Sequence, residues 1–159
     1  MSIKIIPVDK SNIFEWRTSV RTVFGDIPKK DVVKRMVNDR FMIDFETWNQ
    51  PSDRLLAAFD TDINKIVGTG GADKYSISVP GGNSISMAGI AFMGTLPTHK
   101  RKGIFSSMMN KLHCQAKERG DSIAGLWASQ SLLYSRFGYG LATIREDWQI
   151  NSNHANLSK

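Results

Sequence analysis

"FMGTLPTHKRKGIF", residues 92–105, joins an apolar run, a proline, three consecutive cations and a glycine within one short stretch. The run stops at Pro97, Lys100, Arg101 and Lys102 follow, and Gly103 opens a second apolar stretch. A solvated turn has this composition, and so does a helix start that holds phosphate. The neighbouring segments bear on the choice.

Downstream, "GIFSSMMNKLHCQAKERG" (103–120) sets Phe105, Met108, Met109, Leu112 and Ala116 on one helical face, with Gly120 as a C-terminal stop. Strand-like runs lie on either side. Strand 87–96, helix 103–118 and strand 122–128 form a βαβ unit, whose crossover makes the two strands parallel neighbours. Ligands bind at the carboxyl ends of parallel strands, where the next helix begins, and "THKRKG" occupies that place. A helix N-terminus offers free N–H groups and a partial positive charge to an anion. Cations at a helix start oppose the dipole, which disfavours a bare turn. Neither the GxxxxGK[ST] spacing nor GxGxxG is present, so nucleoside triphosphate and dinucleotide lose their usual support.

Outward from this unit, "IKIIPV" (3–8) reads as a first strand. Helical spacing of Ile13, Trp16, Val20 and Val23 follows, with Ser11 as N-cap and Gly25 as stop. A second helix is expected from near Pro28, with Val33, Val37 and Phe41 on one side, and "DFETWNQPSD" (44–53) breaks the pattern. From Arg54 the period turns to two, with turns at "DTDINK" (60–65) and "PGGN" (80–83). The C-terminal region predicts a short helix over "QSLLYSRFG" (130–138) and a last strand over "YGLATIREDWQI" (139–150). The expected organisation is one α/β domain over 1–150 and a polar tail over 151–159.

The 159 residues suffice for one domain with its own core. One cysteine, Cys114, allows no intrachain disulfide and suits a reducing compartment. The N-terminus lacks the apolar core of a signal peptide, and no stretch approaches a membrane span. A cytoplasmic protein without membrane contact is expected. The net charge of +6 fits nucleic acid, an acidic surface or a polyanionic small ligand. No nucleic-acid fingerprint accompanies it, so no nucleic-acid partner is expected.

"LPTHKRKGIF" together with "LWASQSLLYSRFGYGLAT" resembles the GNAT acetyltransferase superfamily. The resemblance is closer to the N-terminal acetyltransferase domain of the enhanced-intracellular-survival (Eis) family of amine acetyltransferases. It covers most of the chain, with its strongest motifs from about 87 to 143. The superfamily run of Arg or Gln, two residues, Gly, one residue, then Gly or Ala meets Lys100 to Phe105 here, with Lys100 and Phe105 as departures. The fold implied is a mixed, mostly antiparallel sheet with a central splayed parallel strand pair and flanking helices.

The resemblance implies acetyl-CoA as cosubstrate and a small-molecule or peptide-borne amine, aminoglycoside-like among the possibilities, as acceptor. It sets Met93, Gly94 and Thr95 along the pantetheine arm and Arg101, Lys102, Gly103, Ile104, Phe105 and Ser106 around the pyrophosphate. Ser129 and Gln130 would flank the acetyl thioester, and the catalytic acid falls on Tyr134. Phe24 and Asp26 match amine-pocket positions, although a surface turn explains them equally. Glu46 and Trp48 border that pocket by position alone. The Eis-like relatives form hexamers, which suggests a homo-oligomer and leaves the state of this chain open.

Acetyl transfer needs a deprotonated amine, a stabilised carbonyl oxygen and a protonated leaving thiolate. Unpaired N–H groups near 92–95 of a splayed strand would serve the oxygen. Tyr134 would protonate the thiolate, a transfer uphill by roughly 2 kcal/mol from a phenol near pKa 10 to a thiolate near 8.5. The Eis-like base is the chain's own C-terminal carboxylate, brought back by further domains. This chain stops at Lys159, which leaves the base unassigned and slow transfer expected. The alternative is an acyl-CoA-binding domain with little or no catalysis.

His99, His113 and Cys114 lack paired ligand spacing, so no metal is expected. His99 reads as a residue shaping the turn before the helix, and Cys114 as a buried or half-buried helix residue. The four tryptophans read as core or pocket wall.

Overall fold

A computed structural model describes residues 2–38 and 53–150. They fall into two compact units, Met1–Trp127 and Ala128–Lys159. The first contains a five-stranded sheet in the order β1 (Ile3–Pro7), β2 (Leu55–Asp60), β3 (Lys65–Val79), β4 (Asn83–Thr95) and β5 (Ile123–Leu126). The first four strands are antiparallel neighbours, whereas β4 and β5 run parallel. The expected βαβ crossover is present, with α3 (Ile104–Glu118) between its strands.

Both anticipated turns form where left-handed backbone is available. Asn64 takes φ 55 between β2 and β3, and Gly81 and Gly82 take φ 91 and φ 78 between β3 and β4. Gly and Asn tolerate this region best, which is why these segments reverse the chain.

Helix α1 (Ile13–Val23) lies on one face of the sheet and α3 on the other. A Cβ on Gly94 would meet Val23 of α1, while one on Gly70 would meet Leu112 of α3 and Met93 of β4. The α1 face buries Ile13, Trp16 and Val20 with Val8, Leu55, Ala57 and Ile66. Trp16 Nε1 donates to the Leu56 carbonyl at 2.8 Å, so its one polar atom is satisfied in the core. The α3 stripe is Ile104, Met108, Met109, Leu112 and Ala116. Phe105 is half-buried, and Ile104 takes the inward place expected for it.

Three expectations change in this unit. Ser11 is not the N-cap of α1: Asn12 holds that place, and Asp9 Oδ1 accepts from the Ser11 amide at 2.8 Å and the Asn12 amide at 3.2 Å. A carboxylate three residues ahead of the cap is a better acceptor there than a hydroxyl. Cys114 is exposed, because it sits between Leu112 and Ala116 on the outward side of α3. Trp127 is 72% exposed, which removes it from the core part of the core-or-pocket-wall reading.

Helix α2 (Lys30–Asn38) buries Val33, and Val37 packs against the α1 core. Phe41 lies outside the described residues.

In the second unit, 130–138 forms two 3₁₀ turns, Ser131–Leu133 and Ser135–Phe137, instead of one short helix. Residues 139–150 take no regular structure, which corrects the expected last strand. Leu141, Ile144, Trp148 and Ile150 are exposed, and Arg145 Nε donates to Asp147 Oδ1 at 2.7 Å. A strand-like run makes a strand only when a neighbouring backbone accepts and donates the ladder.

Candidate functional site

The site is built from β4, which changes character at Ile90. Through Met87–Ile90 the strand is flanked by β3 on one side and β5 on the other. Beyond Ile90 the parallel neighbour ends, since β5 stops at Leu126 while β4 continues to Thr95 against β3 alone among the described residues. The free edge of such a strand presents N–H and C=O groups to a ligand.

This second half is also bulged. Phe92 and Met93 together face Gly70, because the register shifts between Gly71↔Ala91 and Thr69↔Gly94. Phe92 takes φ 58, a left-handed conformation that costs a bulky residue about 1–2 kcal/mol. Three groups hold it. The buried Thr69 hydroxyl donates to the Phe92 carbonyl at 2.7 Å. The Trp16 ring meets the Phe92 ring edge-on at 5.4 Å between centroids. The buried Arg17 guanidinium lies 5.1 Å from the Phe92 ring centroid, a cation–π distance.

Met93 turns its side chain into the core beside Gly70, so only its backbone is left for a ligand. Gly94 has no room for a side chain, as an added Cβ would lie 1.9 Å from Val23 Cγ1. Among the described residues, Thr95 Oγ1 is buried without a hydrogen-bond partner. An unpaired buried hydroxyl costs about 1–3 kcal/mol.

After β4 comes a 3₁₀ turn, Pro97–His99, and then the basic stretch. Lys100 is extended at φ −63 and ψ 156, Arg101 is left-handed at φ 62, and Gly103 is left-handed at φ 75. The first helical bond of α3 runs from the Ser107 amide to the Gly103 carbonyl at 3.0 Å. The amides of Ile104, Phe105 and Ser106 thus precede the intrahelical ladder and point along the helix axis. Lys100, Arg101 and Lys102 are all exposed around them. A Cβ on Gly103 would meet nothing within 4 Å. Its glycine is required by conformation, not by crowding.

Phe24 and Asp26 follow the end of α1, where Gly25 takes φ 86. Phe24 is 58% exposed, and Asp26 Oδ2 pairs with Arg21 Nη2 at 3.0 Å. Glu46 and Trp48 lie outside the described residues. Among the described residues no three His, Cys, Asp or Glu side chains come together to hold a metal ion. No helix among them is long and apolar enough to cross a membrane.

Ser129, Gln130 and Tyr134 belong to the second unit. Ser129 and Gln130 are exposed, whereas Tyr134 is buried between the two 3₁₀ turns. Its ring meets that of Tyr139 edge-on at 6.0 Å. Burial pushes the Tyr134 phenol above its usual 10, and burial together with Tyr134 pushes Tyr139 up to about 12. Both stay protonated at neutral pH.

The sequence reading missed Thr69, Arg17 and Asp60. Arg17 carried a signal, since it falls four residues after Ile13 and three before Val20, on the apolar stripe of α1. Thr69 carried none: the pairing of β3 with a bulge on β4 is a tertiary event.

Residues 4–142 match the family model for the acetyltransferase (GNAT) domain. A relative in Streptomyces avermitilis, described as an uncharacterized N-acetyltransferase, is 35% identical over 106 residues, covering 67% of this chain and 25% of the relative. The crystal structure of Eis1 from Mycobacterium abscessus superposes with a TM-score of 0.69 at 25% identity, over 89% of this chain and 32% of that one. A predicted acetyltransferase from Clostridium acetobutylicum, solved with acetyl-CoA, has a TM-score of 0.68 at 19% identity and covers 98% of this chain and 99% of its own. The chain thus spans about a quarter of the length of the Streptomyces relative.

Proposed function

This chain belongs to the acetyltransferase (GNAT) domain family, and we propose that it moves an acetyl group from acetyl-CoA to a primary amine by direct attack in a ternary complex. The observation that carries the reading is the sequence of features along one continuous backbone. A bulged strand with a free edge leads through Thr95, whose buried hydroxyl has no partner among the described residues, to a strained basic loop at the start of α3.

In this reading the backbone of Met93 and Gly94 and the Thr95 hydroxyl take the pantetheine arm. Arg101, Lys102, Gly103, Ile104, Phe105 and Ser106 take the pyrophosphate, through exposed cations and forward-pointing amides. The bulge at Phe92 aims an N–H at the thioester oxygen as it gains charge. The neutral amine nitrogen forms the new C–N bond and the C–S bond breaks. On the motif it shares with the Eis-like domains, Tyr134 delivers its proton to the departing sulfur, and the proton shed by the nitrogen returns through solvent to the Tyr134 phenolate. Ser129 and Gln130 flank the thioester, a role that rests on the motif they share with the Eis-like domains. Phe24 and Asp26 border the acceptor, whose cationic amine would compete with Arg21 for Asp26.

The test of the donor site is thermal stabilisation by acetyl-CoA. Wild type should be stabilised, and a chain carrying both Arg101→Ala and Lys102→Ala should lose most of that shift. Equal shifts in the two would remove the pyrophosphate reading.

A second reading, an acyl-CoA-binding domain with weak transfer, is favoured by one observation. Burial makes the Tyr134 phenol a weaker acid, which adds to an already uphill proton transfer. Tyr134→Phe separates the two. Direct transfer predicts a turnover loss of about tenfold or more with donor affinity intact, and an unchanged rate would leave Tyr134 structural.

A further inference from the structure

We propose that His99 and Asp60 form a buried clamp that sets the aim of the anion-binding loop, so that His99 is a positioning residue for the phosphate end of acetyl-CoA. The proposal rests on the donor site above.

The clamp begins at the end of β2. Asp60 is 2% exposed and is fixed by sheet pairing, opposite Ile3 of β1 and Lys65 of β3. Its Oδ1 accepts from the Asp62 amide at 2.9 Å, which shapes the turn into β3. Its Oδ2 faces His99 Nε2 at 3.0 Å, and His99 is itself only 8% exposed. Thr98 Oγ1 lies 2.8 Å from the other ring nitrogen, Nδ1. An ionised carboxylate only accepts, so Nε2 carries the proton, and in the neutral ring Nδ1 accepts from the Thr98 hydroxyl. Burial alone would push the Asp60 carboxyl up, but the His99 ring and the amides of Asp62 and Ile63 hold it below the usual carboxylate range. The acceptor stays charged, as the clamp requires.

Two residues beyond His99 the chain enters its strained conformation at Arg101, φ 62. A non-glycine residue there is strained and relaxes unless its surroundings prevent it. The next buried residue is Ile104, 4% exposed, at the start of α3. Lys100, Arg101, Lys102 and Gly103 are therefore strung between two buried anchors while themselves exposed. Ile104 is held by packing, which is non-directional. His99 is held by two directed contacts, and these fix the angle at which the loop leaves the sheet. A solvated turn would have no use for a buried, doubly hydrogen-bonded histidine at its base.

The experiment compares binding of acetyl-CoA with S-acetylpantetheine, which lacks the pyrophosphate and nucleoside, by calorimetry. Wild type should prefer acetyl-CoA strongly. His99→Leu should weaken acetyl-CoA about tenfold, the scale of one charge-assisted contact, and leave S-acetylpantetheine unchanged. His99→Gln keeps a donor toward Asp60 and should recover most of the preference. If His99→Leu folds poorly, the intermediate preference of Asp60→Asn, which trades the charge for an amide, gives the same answer. Loss of affinity for both ligands alike, or a full preference retained in folded His99→Leu or Asp60→Asn, overturns the clamp. A wild type that binds both ligands equally overturns the pyrophosphate reading, and the clamp falls with it.

Discussion

The two halves of β4 differ in a way that separates structure from chemistry. From Met87 to Ile90 the strand has neighbours on both sides, ordinary extended backbone and a pinned start. The Ser86 hydroxyl donates to Asp121 Oδ1, and the Ser122 amide donates to the Ser86 carbonyl at 3.0 Å. Beyond Ile90, among the described residues, one neighbour is gone, Phe92 is left-handed and the Thr95 hydroxyl has no partner. A strand satisfied on both edges has nothing left to offer a ligand. One that loses a neighbour does, and here the protein holds that half in place with side chains instead of a ladder.

Two glycines test this contrast from opposite halves. Gly94→Ala should be the most damaging change, costing about 2–3 kcal/mol in urea denaturation, because its Cβ lands 1.9 Å from Val23 in a packed helix–sheet contact. Next comes Thr69→Val, which strips the donor from the Phe92 carbonyl and should cost about 1–2 kcal/mol. Thr69→Ser should restore most of it. If Thr69→Val is neutral, the bulge is held by the aromatic and cation contacts alone.

The paired half should show itself in acid. The Ser86 hydrogen bond, then the charges of Arg119 and Arg54, hold the Asp121 carboxyl below its usual 3.8 against the opposing push of burial. The folded value lies under the unfolded one, so this stabilisation is present above about pH 4 and is lost as pH falls through the folded value. Asp121→Asn should flatten that acid limb of a stability–pH curve. An acid limb unchanged by the substitution would free the β4–β5 junction from this role.

The smallest effect is expected at Gly89. An added Cβ would lie 2.3 Å from the Tyr75 ring, but that ring is 52% exposed and can swing away. Gly89→Ala should stay under about 1 kcal/mol. A cost equal to that of Gly94 would break the contrast between the halves.

Asp73 gives a counterexample to depressed carboxylates. Burial raises it, with Arg17 and Arg54 opposing. Its contribution to stability has the reverse sign and weakens as pH rises. Position in the fold, not residue type, sets the direction.

Much of this was legible beforehand. Period two and the "PGGN" turn gave the β3–β4 hairpin, and the apolar stripe with Gly120 gave α3. The order strand, basic loop, helix, strand gave the parallel crossover. These are local or near-local patterns, in which propensity and periodicity agree with the final packing. The same reasoning misplaced 139–150, a strand-like run that takes no regular structure.

By itself the sequence determined the α/β class, the parallel pair and the place of the basic loop, because each follows from chain order and side-chain period. Only the tertiary structure decided that Phe92 bulges over Thr69 and Arg17, that His99 reaches Asp60 thirty-nine residues away, and that Thr95 finds no hydroxyl partner among the described residues. Those contacts join distant segments, and no local pattern encodes which buried donor will meet which acceptor.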